Sequence, residues 1–152
     1  MEENIDILLK ELRQFDYDLD LIAPQNEKVL YLAFIGDTIF DLFTRDYLIR
    51  HNIHKIKMGE LHKKNSNLVC AKSQADVVER LINDNVLSEE EEDFYKHARN
   101  AHSRSKSKNS SIIDYRKATG LEALLGLLYY KKDINRLKTL LLKIAEYLDE
   151  LE

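Results

Sequence analysis

Two acidic residues of this 152-residue chain lie in segments that are otherwise apolar and helix-forming. Asp37 follows the run Leu32-Ala33-Phe34-Ile35-Gly36, and Glu122 interrupts a similar run over residues 121–128. A carboxylate that leaves water is penalised by several kcal/mol unless a cation meets it or its pKa rises. On a helix that turns 100° per residue, five apolar side chains lie within about 60° of Asp37, which predicts that Asp37 loses water: Leu30, Ala33, Phe34, Phe40 and Leu48.

Each acid has glycines beside it, Gly36 next to Asp37 and Gly120 and Gly126 on either side of Glu122. Because a glycine costs about 1 kcal/mol inside a helix, these positions predict close approach of two backbones. Helices that cross near their glycines would bring the two acids together. Two carboxylates in one site repel unless a proton or a metal lies between them, and oxygen-only ligands favour Mg²⁺ or Mn²⁺. The alternative is that each acid bonds an arginine or a helix end.

The composition predicts one all-α domain. One proline and four glycines are too few for a sandwich or barrel, which needs a turn signal roughly every 8–12 residues. Hydrophobic spacing predicts helices over residues 5–14, 27–50, 59–81, 88–101 and 114–130, with Asn26, Ser88 and Asp114 as N-caps. Glu91 completes a capping box with Ser88. The last predicted helix carries an apolar stripe for packing in this subunit or against a second one: Leu137, Leu141, Ile144, Leu148 and Leu151.

The sequence also restricts the class of protein. A single cysteine, Cys70, excludes a disulfide framework and a multi-cysteine zinc site, and it fits a reducing cytosol. The longest apolar runs fall far short of the ~20 residues that span a bilayer. The acidic N-terminus lacks the charge pattern of a signal peptide. We therefore expect a cytoplasmic protein with no membrane partner.

Charge is distributed unevenly along the chain. The net charge is −4, yet residues 95–117 carry a balance of +6, so the remainder sums to −10. A basic strip on an acidic protein commonly meets a polyanion, whereas a solvated surface loop is the simpler interpretation. Charge alone leaves both interpretations open.

Several blocks of residues, in order and with compatible spacing over residues 27–150, resemble the ribonuclease III catalytic domain. They resemble in particular mini-ribonuclease III, the form that lacks a double-stranded-RNA-binding domain. The resemblance implies a single helical catalytic domain over residues 1–152, acting as a homodimer. The blocks are Leu32-Ala33-Phe34-Ile35-Gly36-Asp37, Leu61-His62-Lys63-Lys64, Val69-Cys70-Ala71-Lys72-Ser73-Gln74-Ala75, residues 89–92, Arg99-Asn100-Ala101 with Lys108-Asn109, and Tyr115-Arg116 leading to residues 119–126.

The resemblance implies a metal-dependent endoribonuclease that cleaves double-stranded RNA by phosphodiester hydrolysis, each site of the dimer cutting one strand. Asp37 and Glu122 match the family's catalytic acids, which would hold Mg²⁺, with Mn²⁺ as a substitute. Ala33 and Thr119 stand where the full-length family has two further acids. The mini form implies maturation of precursor 23S ribosomal RNA, and ribosomal particles or proteins as further partners. An inert domain that only binds RNA is the alternative, although both acids are present.

Contacts to duplex RNA must come from this domain itself if no other domain supplies them. The candidates lie at one predicted helix start and along the basic strip: His62, Lys63, Lys64, Lys72, Arg99, Asn100, His102, Arg104, Lys106 and Lys108. Lys72 has two interpretations, since it could orient an active-site carboxylate or extend to the surface. Asp41, one turn after Asp37, could assist through water or pair with a basic neighbour.

Overall fold

A computed structural model describes residues 25–101 and 110–151 of the chain. This part of the chain is helical throughout, with short connecting turns, which confirms the all-α prediction. The predicted helix over residues 5–14 lies outside the described residues. In chain order the described helices are α1 (Gln25–Asn52), α2 (Met58–Val69), α3 (Ala71–Asn83), α4 (Glu89–Arg99), α5 (Ser110–Tyr130) and α6 (Ile134–Glu150).

Helix α5 occupies the centre of the fold. It contacts α1, α3, α4 and α6, and residues 118–126 are all buried except Glu122. A helix at a surface buries only one face, so burial on every side requires neighbours in several directions. Leu121, Leu124 and Leu125 are fully inaccessible, and each contributes about 1.5–3 kcal/mol through removal of apolar surface from water. Glu122 is therefore the only acidic side chain in the best-buried stretch of the central helix.

The crossing of α1 over α5 depends on two glycines, as the sequence predicts. A Cβ atom at Gly36 would overlap the backbone carbonyl of Glu122, and one at Gly126 would overlap that of Leu32. The backbones of the two helices therefore touch at two points one turn apart. Gly120 has a different neighbour, because the group that excludes a Cβ there is the ring of Tyr95 on α4.

One predicted helix end is confirmed and two are wrong. The hydroxyl of Ser88 accepts from the N–H of Glu91, and the Glu91 carboxylate accepts from the N–H of Ser88, forming the predicted capping box. Helix α1 already begins at Gln25, so Asn26 lies inside it, and α5 begins at Ser110, four residues before Asp114. Both helices therefore extend beyond their strongest local cap signals.

The single helix predicted over residues 59–81 is wrong, since the chain breaks at Cys70. Cys70 adopts an extended conformation, with φ −66° and ψ 156°, and separates α2 from α3. No glycine or proline signals this break. The side-chain amide of Gln74, on α3, donates to the carbonyl of Val69 at 2.9 Å. A side chain of the next helix therefore satisfies the carbonyl of the last residue of α2.

Helix α6 packs through most of its predicted stripe. Leu137, Ile144 and Leu148 are buried, and the adjacent Leu140 is fully buried where the sequence predicts Leu141. Leu151 follows the helix end and is 76% exposed, so it does not pack within the described part of this chain. Of the helices within residues 25–101 and 110–151, none combines the length and apolar character needed to cross a membrane.

We predict that Gly126→Ala lowers the free energy of unfolding by about 2 kcal/mol or more, because the added methyl group forces α1 away from α5. Gly59→Ala is the matched control, since nothing lies within 4 Å of a Cβ there, and it should stabilise α2 by up to about 1 kcal/mol. Urea unfolding measures both changes. A Gly126→Ala protein as stable as the wild type would contradict the tight crossing.

Candidate active site

The helix crossing places Asp37 and Glu122 next to each other. Asp37 follows Gly36 on α1, and the missing side chain of Gly36 lets the backbone of Glu122 on α5 approach directly. The charge of Asp37 acts on the Glu122 carboxyl group. The two acids that the sequence singles out therefore share one site.

The electrostatics of Glu122 are those of a partly desolvated carboxyl group. Burial is the largest cause and the charge of Asp37 the second, and together they raise the pKa of Glu122 to about 7, while the hydrogen bond from Gln74 opposes the shift. A divalent cation between the two carboxylates would remove this penalty, because it favours the ionised form of both.

Asp37 is less buried than the sequence predicts. The expectation that its carboxylate loses water is wrong for the single chain. Ala33 and Phe40 on one side of Asp37 are buried, whereas Leu30 is 39% exposed and Phe34 is 77% exposed. Asp37 itself is exposed. It lies at the boundary between the face of α1 that packs in the fold and an apolar face that no described residue covers.

Gln74 is a site residue that the sequence reasoning did not identify. Its amide nitrogen donates to Oε1 of Glu122 at 3.1 Å and to the Val69 carbonyl at 2.9 Å. One signal for it exists in the sequence, because Gln74 continues the apolar helical spacing of Val77, Val78 and Leu81 on α3. A polar residue on such a stripe indicates a buried polar contact.

Asp41 and Lys72 have partners outside the pair of acids. The Asp41 carboxylate accepts hydrogen bonds from Arg45 and from Asn65, both at 2.8 Å. Asp41 therefore pairs with a basic neighbour, which is one of the two interpretations that the sequence allows. Lys72 is largely exposed and lies 3.5 Å from the Asp76 carboxylate. It points to the surface and has no described contact with Asp37 or Glu122.

Apart from Lys72 on α3, the described RNA-contact candidates lie on α2 and at the end of α4. His62, Lys63 and Lys64 are exposed on α2, where the Lys64 ammonium group lies 3.4 Å from the side-chain oxygen of Asn52. Arg99 lies over the ring of Tyr95 near the end of α4, and Asn100 follows as the C-cap. His102, Arg104, Lys106 and Lys108 lie outside the described residues.

The donor set of the site fits Mg²⁺. Within the part of the chain that the structure describes, no three His, Cys, Asp or Glu side chains converge as a metal cluster. Thr119, three residues before Glu122, is buried and donates its hydroxyl proton to the Tyr115 carbonyl. The two neighbouring carboxylates of Asp37 and Glu122 remain, and Mg²⁺ in proteins is commonly held by one or two carboxylates together with water and substrate phosphates.

Comparison with known proteins identifies the family. The ribonuclease III domain matches residues 30–133, more than half of the chain, and this range includes both acids. The chain belongs to the ribonuclease III family. A relative from Staphylococcus aureus named Mini-ribonuclease 3 is 37% identical over 137 residues, which cover 90% of this chain and 97% of that protein. Another of the same name from Brevibacillus brevis is 43% identical over 106 residues, covering 70% and 76%.

A solved structure agrees with this assignment. The crystal structure of a Fusobacterium nucleatum protein superimposes with a TM-score of 0.64 at 28% identity, covering 84% of this chain and 96% of that one. The ribonuclease III resemblance and the mini form are thus confirmed. Asp37 and Glu122, the two acids in apolar helices, both lie in this ribonuclease III domain.

The raised pKa of Glu122 predicts a pH-dependent stability of the metal-free protein. Between pH 4.5 and about 7 the folded chain keeps a proton that the unfolded chain releases, so stability falls as the pH rises through this window. The gain from Glu122→Gln, which cannot ionise, should be about 2–3 kcal/mol larger at pH 8 than at pH 5. Urea unfolding in EDTA measures it. An equal gain at both pH values would contradict the raised pKa.

Proposed function

We propose that this protein is a Mg²⁺-dependent endoribonuclease that cleaves double-stranded RNA by phosphodiester hydrolysis. The observation that carries the proposal is the pairing of Asp37 with Glu122 across the glycine contact of α1 and α5 in a ribonuclease III domain. We further propose that it acts in the cytoplasm on precursor 23S ribosomal RNA, with ribosomal particles as partners. The names of its Mini-ribonuclease 3 relatives support the nuclease activity.

The two acids have different parts in this activity. Glu122 is half-buried and held by Gln74, so it provides a fixed carboxylate, whereas Asp37 is exposed in the single chain. Asp37 and Glu122 would hold Mg²⁺, with Mn²⁺ able to substitute. When bound, the cation supplies an activated water for in-line attack and neutralises charge on the leaving 3′-oxygen.

Duplex RNA contacts are proposed on the exposed basic residues. His62, Lys63 and Lys64 on α2 provide cationic and hydrogen-bonding groups for phosphates and ribose hydroxyls, which are the groups that a duplex RNA presents. The other residues assigned to this surface are Lys72, Arg99, Asn100, His102, Arg104, Lys106 and Lys108. Of these, Lys72 is already engaged with Asp76, so we expect its contribution to be among the smallest.

We predict that Asp37→Asn and Glu122→Gln each reduce cleavage of a long RNA duplex more than about 100-fold, since removal of a metal ligand exceeds the 10–100-fold effect of residues that only support one. Asp46→Asn is the matched control, because Asp46 lies on the same helix but pairs with Arg50, and it should cleave like wild type. The assay compares duplex and single strand, each with Mg²⁺ and with EDTA.

Three results of this assay would count against the proposal. Wild-type protein that binds duplex but leaves it intact would favour the inert RNA-binding alternative. Cleavage that persists in EDTA would exclude the metal site. Equal cleavage of single strand would contradict the specificity for duplex.

A homodimer is the second part of the proposal. Leu30, Tyr31 and Phe34 form an exposed apolar face on α1 directly before Asp37, and Phe34 is 77% exposed. A second copy packed on this face would remove that surface from water next to Asp37. The dimer would then place two sites on one particle, so that each site could cut one strand of a duplex.

We predict that Phe34→Glu converts the protein from dimer to monomer, because it puts a charge in the centre of the proposed interface. Leu142→Glu is the control. Like Phe34, Leu142 is an exposed apolar side chain, 58% accessible, but it lies on α6. Sedimentation equilibrium gives the mass of each. A wild-type protein that is monomeric, or a dimer lost only in Leu142→Glu, would contradict the α1 interface.

A further inference from the structure

Gln74 is the most buried polar residue in contact with the candidate site. It is 2% exposed and lies in the first turn of α3, directly after the break at Cys70. Its side chain reaches from α3 to Glu122 on α5 and to Val69 at the end of α2. Three helices therefore meet at this one amide group.

Both contacts use the same end of the side chain. The amide nitrogen of Gln74 has two N–H groups, and the structure gives it two acceptors, the Val69 carbonyl at 2.9 Å and Oε1 of Glu122 at 3.1 Å. The backbone contact prevents the amide from rotating, because rotation would break it. The N–H that faces Glu122 is thus a fixed donor, and it holds one of the two carboxylate oxygens.

The other end of the amide shows that Gln74 is not there for packing alone. Its oxygen, Oε1, is buried and has no hydrogen-bond partner among the described residues. An unsatisfied buried acceptor destabilises a fold, and an apolar residue like Val77 or Val78 on the same face would avoid that penalty. The useful part of the side chain is therefore its N–H pair.

We propose that Gln74 is a positioning residue for Glu122. It binds Oε1 of the carboxylate so that the remaining oxygen is presented to a divalent cation shared with Asp37. This inference rests on the proposed metal site and assigns a role to a residue that does not itself bind the cation. Metal-ligating carboxylates are commonly held in this way by hydrogen bonds, and loss of such a hydrogen bond costs 10–100-fold in metal affinity.

The test replaces Gln74 by methionine, which has a similar length and no donor. Mn²⁺ serves as the probe, and electron paramagnetic resonance counts free Mn²⁺ during a titration of RNA-free protein. We expect the half-saturating Mn²⁺ concentration to rise about tenfold or more in Gln74→Met. We also expect excess Mn²⁺ to restore its cleavage of duplex RNA, because the defect is in the metal affinity and the site is otherwise intact.

Tyr95→Phe is the matched control. The Tyr95 hydroxyl is the other buried side-chain atom without a partner among the described residues, and the Tyr95 ring packs against Gly120. Its removal tests the general effect of deleting a buried polar atom from this core. We expect Tyr95→Phe to bind Mn²⁺ like wild type.

The outcomes separate this inference from the proposed function. Folded Gln74→Met that binds Mn²⁺ with wild-type affinity overturns the assignment, as does an equal loss of affinity in Tyr95→Phe. If Gln74→Met does not fold, Gln74→Asn keeps an amide that is one carbon shorter, and wild-type affinity there overturns it equally. A wild-type protein that binds Mn²⁺ but cuts no RNA contradicts the proposed function, while the Mn²⁺ titration still decides the role of Gln74.

Discussion

The candidate site depends on one close contact between two helix backbones. At Gly36 and Gly126 the absence of a side chain lets α1 and α5 touch, and a methyl group at either position would overlap a carbonyl of the other helix. This contact sets the distance between Asp37 and Glu122, because each acid belongs to one of the two helices. The glycines cost helix stability. Apolar packing around the central helix α5 offsets that cost, and the fold keeps the approach that the site requires.

The same contact makes the site electrostatically unfavourable when it holds no cation. Burial and the neighbouring Asp37 raise the pKa of Glu122 to about 7, so the metal-free Glu122 keeps its proton up to a higher pH than an ordinary glutamate. Gln74 counteracts this by donating to the ionised carboxylate, at the cost of a buried amide oxygen without a described partner. Unfavourable local interactions of this kind are typical of functional sites, where the geometry needed for chemistry differs from the one that best stabilises the chain.

Local sequence signals predicted much of this arrangement. The scarcity of proline and glycine indicated long helices, and Gly36 and Gly126 inside apolar helices indicated the crossing, whereas Gly120 makes room for the ring of Tyr95 instead. The break at Cys70 could not be predicted, because no local residue causes it and the Gln74 amide that supports it acts from the next helix. The exposure of Asp37 was missed for a related reason. Helical spacing shows that Phe34 and Phe40 lie near Asp37, but only the packing of other helices decides that Phe40 is covered and Phe34 is not.

The most direct test of this account is a crystal structure of the wild-type protein grown with Mn²⁺, with data collected for anomalous scattering. We predict an anomalous peak between α1 and α5, with one carboxylate oxygen of Asp37 and one of Glu122 at bonding distance, and with Gln74 still bound to the other oxygen of Glu122. A strong peak at any other group of residues, with Asp37 and Glu122 left without a cation, would contradict it.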